Sequence, residues 1–149
     1  MAKEAAFITL AAALGLAGAI AFSTFAGGGG ELPAELTNVT GLDDAFAQSE
    51  ATGKPVVAYV TADWCPPCKQ MKRTTLQDER VISWLDKNSV PVTLVDGQHN
   101  EDMARLPFRA FPTTMVIRDG TVVAAMEGAA SSEAYLEFLE GAMAQEDDG

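Results

Sequence analysis

The chain has 149 residues, enough for one domain with a real core plus an appendage. A hydrophobic content of 48% fits a globular protein carrying one extra apolar segment. The net charge of −11, with no basic cluster, argues against nucleic acid as a partner and against adhesion to an anionic membrane surface.

The extra apolar segment comes first. Residues Ala5 to Ala26 carry no charge and are rich in Ala, Leu, Ile, Phe and Gly, and a run of this length spans a hydrocarbon core of ~30 Å. Lys3 and the amino terminus precede it, offset by Glu4, and no Lys or Arg follows until Lys54. The positive-inside tendency then keeps the N-terminus cytoplasmic and exports everything beyond. A cleaved secretory signal is one reading, with Thr24-Phe25-Ala26 before Gly27 as a passable site. The uninterrupted length favours the other, an uncleaved anchor over residues 1–26. A buried core helix is the third. The first two place the domain outside the cytoplasm, where two cysteines suit an oxidising compartment. Residues 27–35 read as a flexible linker, Gly27 to Gly30 continued in extended form by Glu31-Leu32-Pro33-Ala34.

The folded domain is expected over residues 36–145. Thr40-Gly41-Leu42-Asp43 resembles a capping box with Asp in place of Glu, and Leu42, Ala45, Phe46 and Ser49 follow at helical spacing. Gly53 is a plausible stop. Pro55 to Thr61 reads as a strand, apolar enough to be covered on both faces. A helical pattern leaves the next stretch at Lys69. Asp78 is placed to cap a further segment with an apolar face of Val81, Ile82, Trp84 and Leu85. Val90 to Val95 is the next strand, parallel to the first through a crossover. Asn100 caps a short helix through Arg105. Asp119-Gly120 suits a type I′ turn between strands 114–117 and 121–124. Ser131 or Ser132 caps a last helix whose stripe is Tyr135, Leu136, Phe138, Leu139 and Met143. Residues 146–149 are an acidic tail. Helix, strand, helix, strand, helix, hairpin, helix gives an α/β fold, a small mixed sheet covered by helices on both faces. Pro107 and the lone histidine, His99, read as loop residues.

Chemistry concentrates at Cys65-Pro66-Pro67-Cys68, where a strand ends and a helix begins. Unpaired N–H groups and the macrodipole at a helix start favour a thiolate, the nucleophile of disulfide exchange. Pro66 and Pro67 are tolerated there because first-turn N–H groups have no intrahelical partner to lose. A zinc site wants four ligands, and the two cysteines have one histidine to join them. A structural clip over so short a loop removes little chain entropy. Redox chemistry leads, without a cofactor and without a metal.

Ala62-Asp63-Trp64-Cys65-x-x-Cys68-Lys69 resembles the active-site signature of the thioredoxin superfamily, and Phe111-Pro112-Thr113-Thr114 resembles its cis-proline loop. Lys54-Pro55 and Thr75 to Val81 are most similar to the thioredoxin-like periplasmic domains of transmembrane thiol:disulfide interchange reductases. The resemblance covers about residues 40–144. It implies a thioredoxin-like fold, attack on a substrate disulfide by Cys65 at an exposed edge, and resolution by Cys68. It also implies a substrate groove of Trp64, Phe111, Pro112 and Thr113, with Trp64 covering the thiols or simply packing. Two positions depart from the pattern: Tyr59 stands where relatives carry a buried acid, and Lys72 where the nearest branch has glutamate. Lys72 lies at i+4 from Cys68 and its charge favours a Cys68 thiolate, while Asp63 is the one acid adjacent to the motif. The implied function is an extracytoplasmic oxidoreductase on the periplasmic side, tethered to the inner membrane through residues 5–26 or cleaved and soluble. It would reduce exported proteins with electrons from a membrane-embedded thiol reductase. A disulfide-forming oxidase with the same dithiol and a non-catalytic client-binding module are the alternatives.

Overall fold

In the computed structural model, which describes residues 31–145, the sheet is built around β1 (Val56–Thr61), all six of whose residues are buried. The apolar run 5–26, the glycines 27–30 and the tail 146–149 lie outside the described residues. Among the described residues, no helix is long and apolar enough to cross a membrane. β1 pairs in parallel with β2 (Val90–Val95) and antiparallel with β3 (Thr113–Arg118), which pairs antiparallel with β4 (Thr121–Glu127). The order is β2-β1-β3-β4, the small mixed sheet that the pattern of elements predicts.

Because strand side chains alternate, β1 feeds two layers. Val56, Ala58 and Val60 meet α1 (Leu42–Thr52) through Leu42 and Ala45, and α4 (Asn100–Ala104) through Met103. Val57 and Tyr59 meet α2 (Pro66–Arg73), α3 (Glu79–Asn88) and α5 (Ser132–Ala144) through Met71, Val81, Leu85, Tyr135 and Leu139. Local signals hold where they depend on neighbours in sequence. Gly53 ends α1 at φ 71°, and Asp119 and Gly120, at φ 50° and 74°, make the hairpin turn. Asp78 caps α3 by accepting from Arg80 N at 2.9 Å, and Ser131 caps α5 by accepting from Ala134 N at 3.3 Å.

Three expectations change. α1 starts after Gly41 with no cap of its own; Leu42 N donates to Asp102 Oδ2 of α4 at 3.0 Å, while Asp44 accepts from Thr40 N at 3.2 Å. The short helix begins one residue after His99, and His99 is a half-buried anchor rather than a solvated loop residue. Its Nδ1 accepts from Val95 N at 3.0 Å, and Asn100 Oδ1 accepts from Gly97 N at 2.8 Å. Residues 31–35, expected as the end of a linker, are held on the domain. Gln77 Nε2 donates to Glu31 O at 2.7 Å, Leu32 packs on the α3–α5 layer, and a 3-10 turn spans Ala34–Leu36.

Candidate active site

β1 ends at Thr61, and the chain turns through Ala62, Asp63 and Trp64 so that Cys65 becomes the N-cap of α2. Pro66 and Pro67 fill the first two helical positions, where an N–H would have no intrahelical acceptor. The first N–H of the turn is therefore that of Cys68, and it donates to Cys65 Sγ at 3.3 Å. Cys65 N in turn donates to Ala62 O at 3.3 Å, which fixes the entry angle of the chain. A disulfide joins Cys65 to Cys68, with Cα atoms 5.3 Å apart. Both residues are buried: Cys65 is 3% exposed and Cys68 0%, so Cys65 does not sit at an exposed edge.

The second wall is the segment before β3. The Phe111-Pro112 peptide is cis, and Phe111 O lies 3.6 Å from Cys65 Sγ. Phe111 packs its ring on Ala62, Cys65 and Cys68. Pro112 is buried and its carbonyl accepts from Gly128 N at 2.7 Å; Thr113 Oγ1 donates to Ala110 O at 2.7 Å. Those two bonds hold the segment that faces the sulfurs. Phe111, not Trp64, covers the pair. Trp64 is 66% exposed, stands edge-on to Phe111 at 5.5 Å, and donates from Nε1 to Asp96 Oδ2 at 2.9 Å. Phe108 adds a third ring, 5.4 Å from Phe111.

Asp96 was not among the residues singled out from sequence. The signal was available in the parallel pairing, because Thr61 and Val95 are partners in register and Asp96 N donates to Thr61 O at 2.9 Å. The residue after β2 must therefore emerge beside the residue after β1.

Beneath the sulfurs, the Tyr59 hydroxyl donates to Cys68 O at 3.5 Å, and burial pushes its phenol up to about 12. The phenol stays protonated at neutral pH and acts as a donor. Lys72 Nζ pairs with Asp63 Oδ1 at 3.5 Å; the lysine side chain is 12% exposed and the aspartate 74%. The charge of Lys72 is thus shared with Asp63 rather than directed at Cys68 alone. Lys69, Pro66 and Pro67 are exposed on the outer side of α2. The arrangement brings a dithiol, a helix start, an apolar ring and the Phe111 carbonyl together, which suits thiol–disulfide exchange.

Comparison with known proteins agrees with that chemistry. The family model described as a thioredoxin-like domain matches residues 42–142. Thioredoxin from Pseudomonas aeruginosa is 32% identical over 107 residues, covering 70% of this chain and 94% of the relative. The thiol:disulfide interchange protein DsbD of Citrobacter koseri is 34% identical over 71 residues, 48% of this chain and 12% of that protein. The same protein of Ralstonia nicotianae is 46% identical over 44 residues, 30% of this chain and 7% of its own length. The chain thus matches only a small part of the interchange proteins and nearly the whole of the thioredoxin. The solution structure of a thioredoxin from Thermus thermophilus has a TM-score of 0.56 at 25% identity, covering 68% of this chain and 82% of its own. A dithiol at a helix start on this mixed sheet defines a thiol–disulfide oxidoreductase. The chain belongs to the thioredoxin-like family, and its cysteine pair is Cys65–Cys68.

Proposed function

We propose that the protein is an extracytoplasmic reductase of disulfides in exported proteins. Cys65 thiolate attacks a substrate disulfide, forming the Cys65–substrate bond as the second substrate sulfur leaves as thiolate. Cys68 then attacks Cys65 Sγ, the substrate leaves with the remaining electron pair, and the Cys65–Cys68 disulfide is formed. A membrane-embedded thiol reductase would return the pair to the dithiol, since an exported domain cannot reach cytoplasmic donors. The observation that carries the order of attack is that Cys65 Sγ faces both the Cys68 N–H and the Phe111 carbonyl beside Pro112. A substrate strand laid along Phe111, Pro112 and Thr113 would present its sulfur to Cys65, with Trp64 at the rim.

The location is supported by the uncharged run 5–26 and by the interchange proteins among the relatives. Residues 1–26 serve as the anchor and residues 27–30 as linker, and the described domain is bound from Glu31 on by Gln77. Clefts of about 590 and 460 Å³ elsewhere on the surface contain neither cysteine.

The test is mixed-disulfide trapping. Cys68→Ser should accumulate a covalent complex through Cys65, and Cys65→Ser almost none; equal trapping by both would overturn the roles. A client-binding module would keep its function in the double variant. The reduction potential settles direction, since reducing members of the class lie near about −270 mV and strong oxidants near about −120 mV.

A further inference from the structure

The closed disulfide is shielded from solvent. Cys68 is 0% exposed, Cys65 3%, and Ala62 beside them 0%. The half-buried apolar side chain packed on all three is that of Phe111. The chain that carries it is pinned on its far side: Pro112 O accepts from Gly128 N at 2.7 Å, and Thr113 Oγ1 donates to Ala110 O at 2.7 Å. The ring itself is braced from two directions. Trp64 meets it edge-on at 5.5 Å, and Phe108 lies tilted against it at 5.4 Å. Trp64 is in turn held by Asp96, which accepts from Nε1 at 2.9 Å. Phe111 O lies 3.6 Å from Cys65 Sγ, so one residue meets that sulfur with both ring and backbone.

Reduction of the pair requires a thiolate to reach one of its sulfurs. Cys68 is wholly buried, which leaves Cys65, and the Phe111 ring must swing aside to admit the attacker. With the chain pinned, that motion is a rotation of the side chain. It exposes Ala62 and both cysteines to water and gives up the ring contacts with Trp64 and Phe108. A polypeptide with apolar side chains beside its cysteine buries that surface again as it arrives. A small hydrophilic thiol brings no such surface.

We propose that Phe111 is a specificity-determining residue: its ring shuts the Cys65–Cys68 disulfide to small thiols and yields to a cysteine carried on an apolar polypeptide segment. This deepens the proposed function, in which a thiol reductase returns the pair to the dithiol, and rests on Cys65 as the sulfur attacked. The donor thiolate bonds to Cys65 Sγ as the Cys65–Cys68 bond breaks, and the electron pair leaves on Cys68. The donor's second thiolate then attacks the donor sulfur of the mixed disulfide, and Cys65 leaves as thiolate. The donor dithiol is oxidised to a disulfide and the Cys65–Cys68 pair is reduced. Protons released by the donor pass through solvent to the two cysteines, and no other reactant is needed.

The test uses the oxidised full chain and two uncharged reductants, dithiothreitol and a blocked peptide dithiol whose cysteines are flanked by leucines. Loss of the disulfide is followed by acid quenching and alkylation, and each rate is compared between native protein and variant. Phe111→Ala should speed reduction by dithiothreitol about tenfold and fail to speed reduction by the peptide. Phe111→Leu, which keeps an apolar cover, should fall between Phe111→Ala and the native protein. Phe108→Ala removes a brace without touching the sulfurs, and should speed dithiothreitol about threefold. It carries the test if Phe111→Ala does not fold. A dithiothreitol rate unchanged in both alanine variants, or equal acceleration of both reductants, would overturn the proposal. A strongly oxidising potential would refute the reductase reading by itself, because these rates are read on the closed disulfide in either case.

Discussion

Replacing Lys72 should slow release of the reduced substrate, by an amount the geometry bounds. Lys72 is one helical turn beyond Cys68, so its charge acts over roughly 6 Å. Its side chain is 12% exposed, while its partner Asp63 is 74% exposed and weakly held in place by comparison. With an effective dielectric between about 40 and 80, one unit charge at that distance is worth roughly 0.7–1.4 kcal/mol, or about half to one pKa unit on the thiol. Lys72→Glu changes the local charge by two and should raise the Cys68 pKa by about one to two units. Part of the lost thiolate is offset because a more basic thiolate is more nucleophilic, with a Brønsted slope of about 0.4–0.5. The net effect at pH 7 is a rate about 3–10-fold lower, and Lys72→Met should fall between the variant and the native protein. The assay is single-turnover release from a preformed Cys65–substrate disulfide, followed across pH. Above the thiol pKa the order should reverse, with Lys72→Glu the faster, and added salt should shrink the difference. Slowing that is independent of pH would refute an electrostatic role and point to altered packing of α2.

The remaining predictions concern stability and location. Tyr59 and Tyr135 are both pushed up by burial, so the fold favours their protonated forms; stability is intact below pH 10 and falls as pH rises toward 12. Tyr59→Phe should reduce that alkaline loss by up to about 2–3 kcal/mol, read from denaturant melts at pH 8 and 11.5, and an identical alkaline limb would contradict the burial argument. Asp102→Ala leaves Leu42 N without its acceptor at a buried helix start and should cost about 1 kcal/mol, measured by urea unfolding; a neutral result would mean that water replaces the carboxylate. Gly41→Ala should also destabilise, since a Cβ there would meet Asp102 Oδ2 at 2.8 Å. If residues 5–26 anchor the chain, the native protein should stay with membranes through a high-salt wash. A mature protein beginning at Gly27 would show a cleaved signal instead.

What sequence alone determined here is whatever depends on neighbours a few residues apart. Cys65 and Cys68 meet because i and i+3 share a helix face, and Pro66-Pro67 can stand between them because first-turn N–H groups are free. Asp78, Ser131, Gly53 and Asp119-Gly120 were legible for the same reason: caps and tight turns are closed by the backbone groups beside them. The unbroken apolar run of β1 told that it is central, since only a strand covered twice carries apolar residues on both faces. Tertiary structure decided everything that joins distant segments. Asp102 caps α1 from 60 residues away, Asp96 holds Trp64 from 32, and Gln77 binds Glu31 from 46. A polar side chain in a loop carries no mark of which backbone group it will meet; the partner is set by the register of β1 with β2 and by how α4 and α3 settle on the sheet. The environment of Cys68 belongs to the same class. That Lys72 shares its charge with Asp63, and that the Tyr59 hydroxyl lies beneath the Cys68 carbonyl, follow from α2 lying over one face of β1. Burial and direction are properties of that packing, so residue type alone left them undetermined.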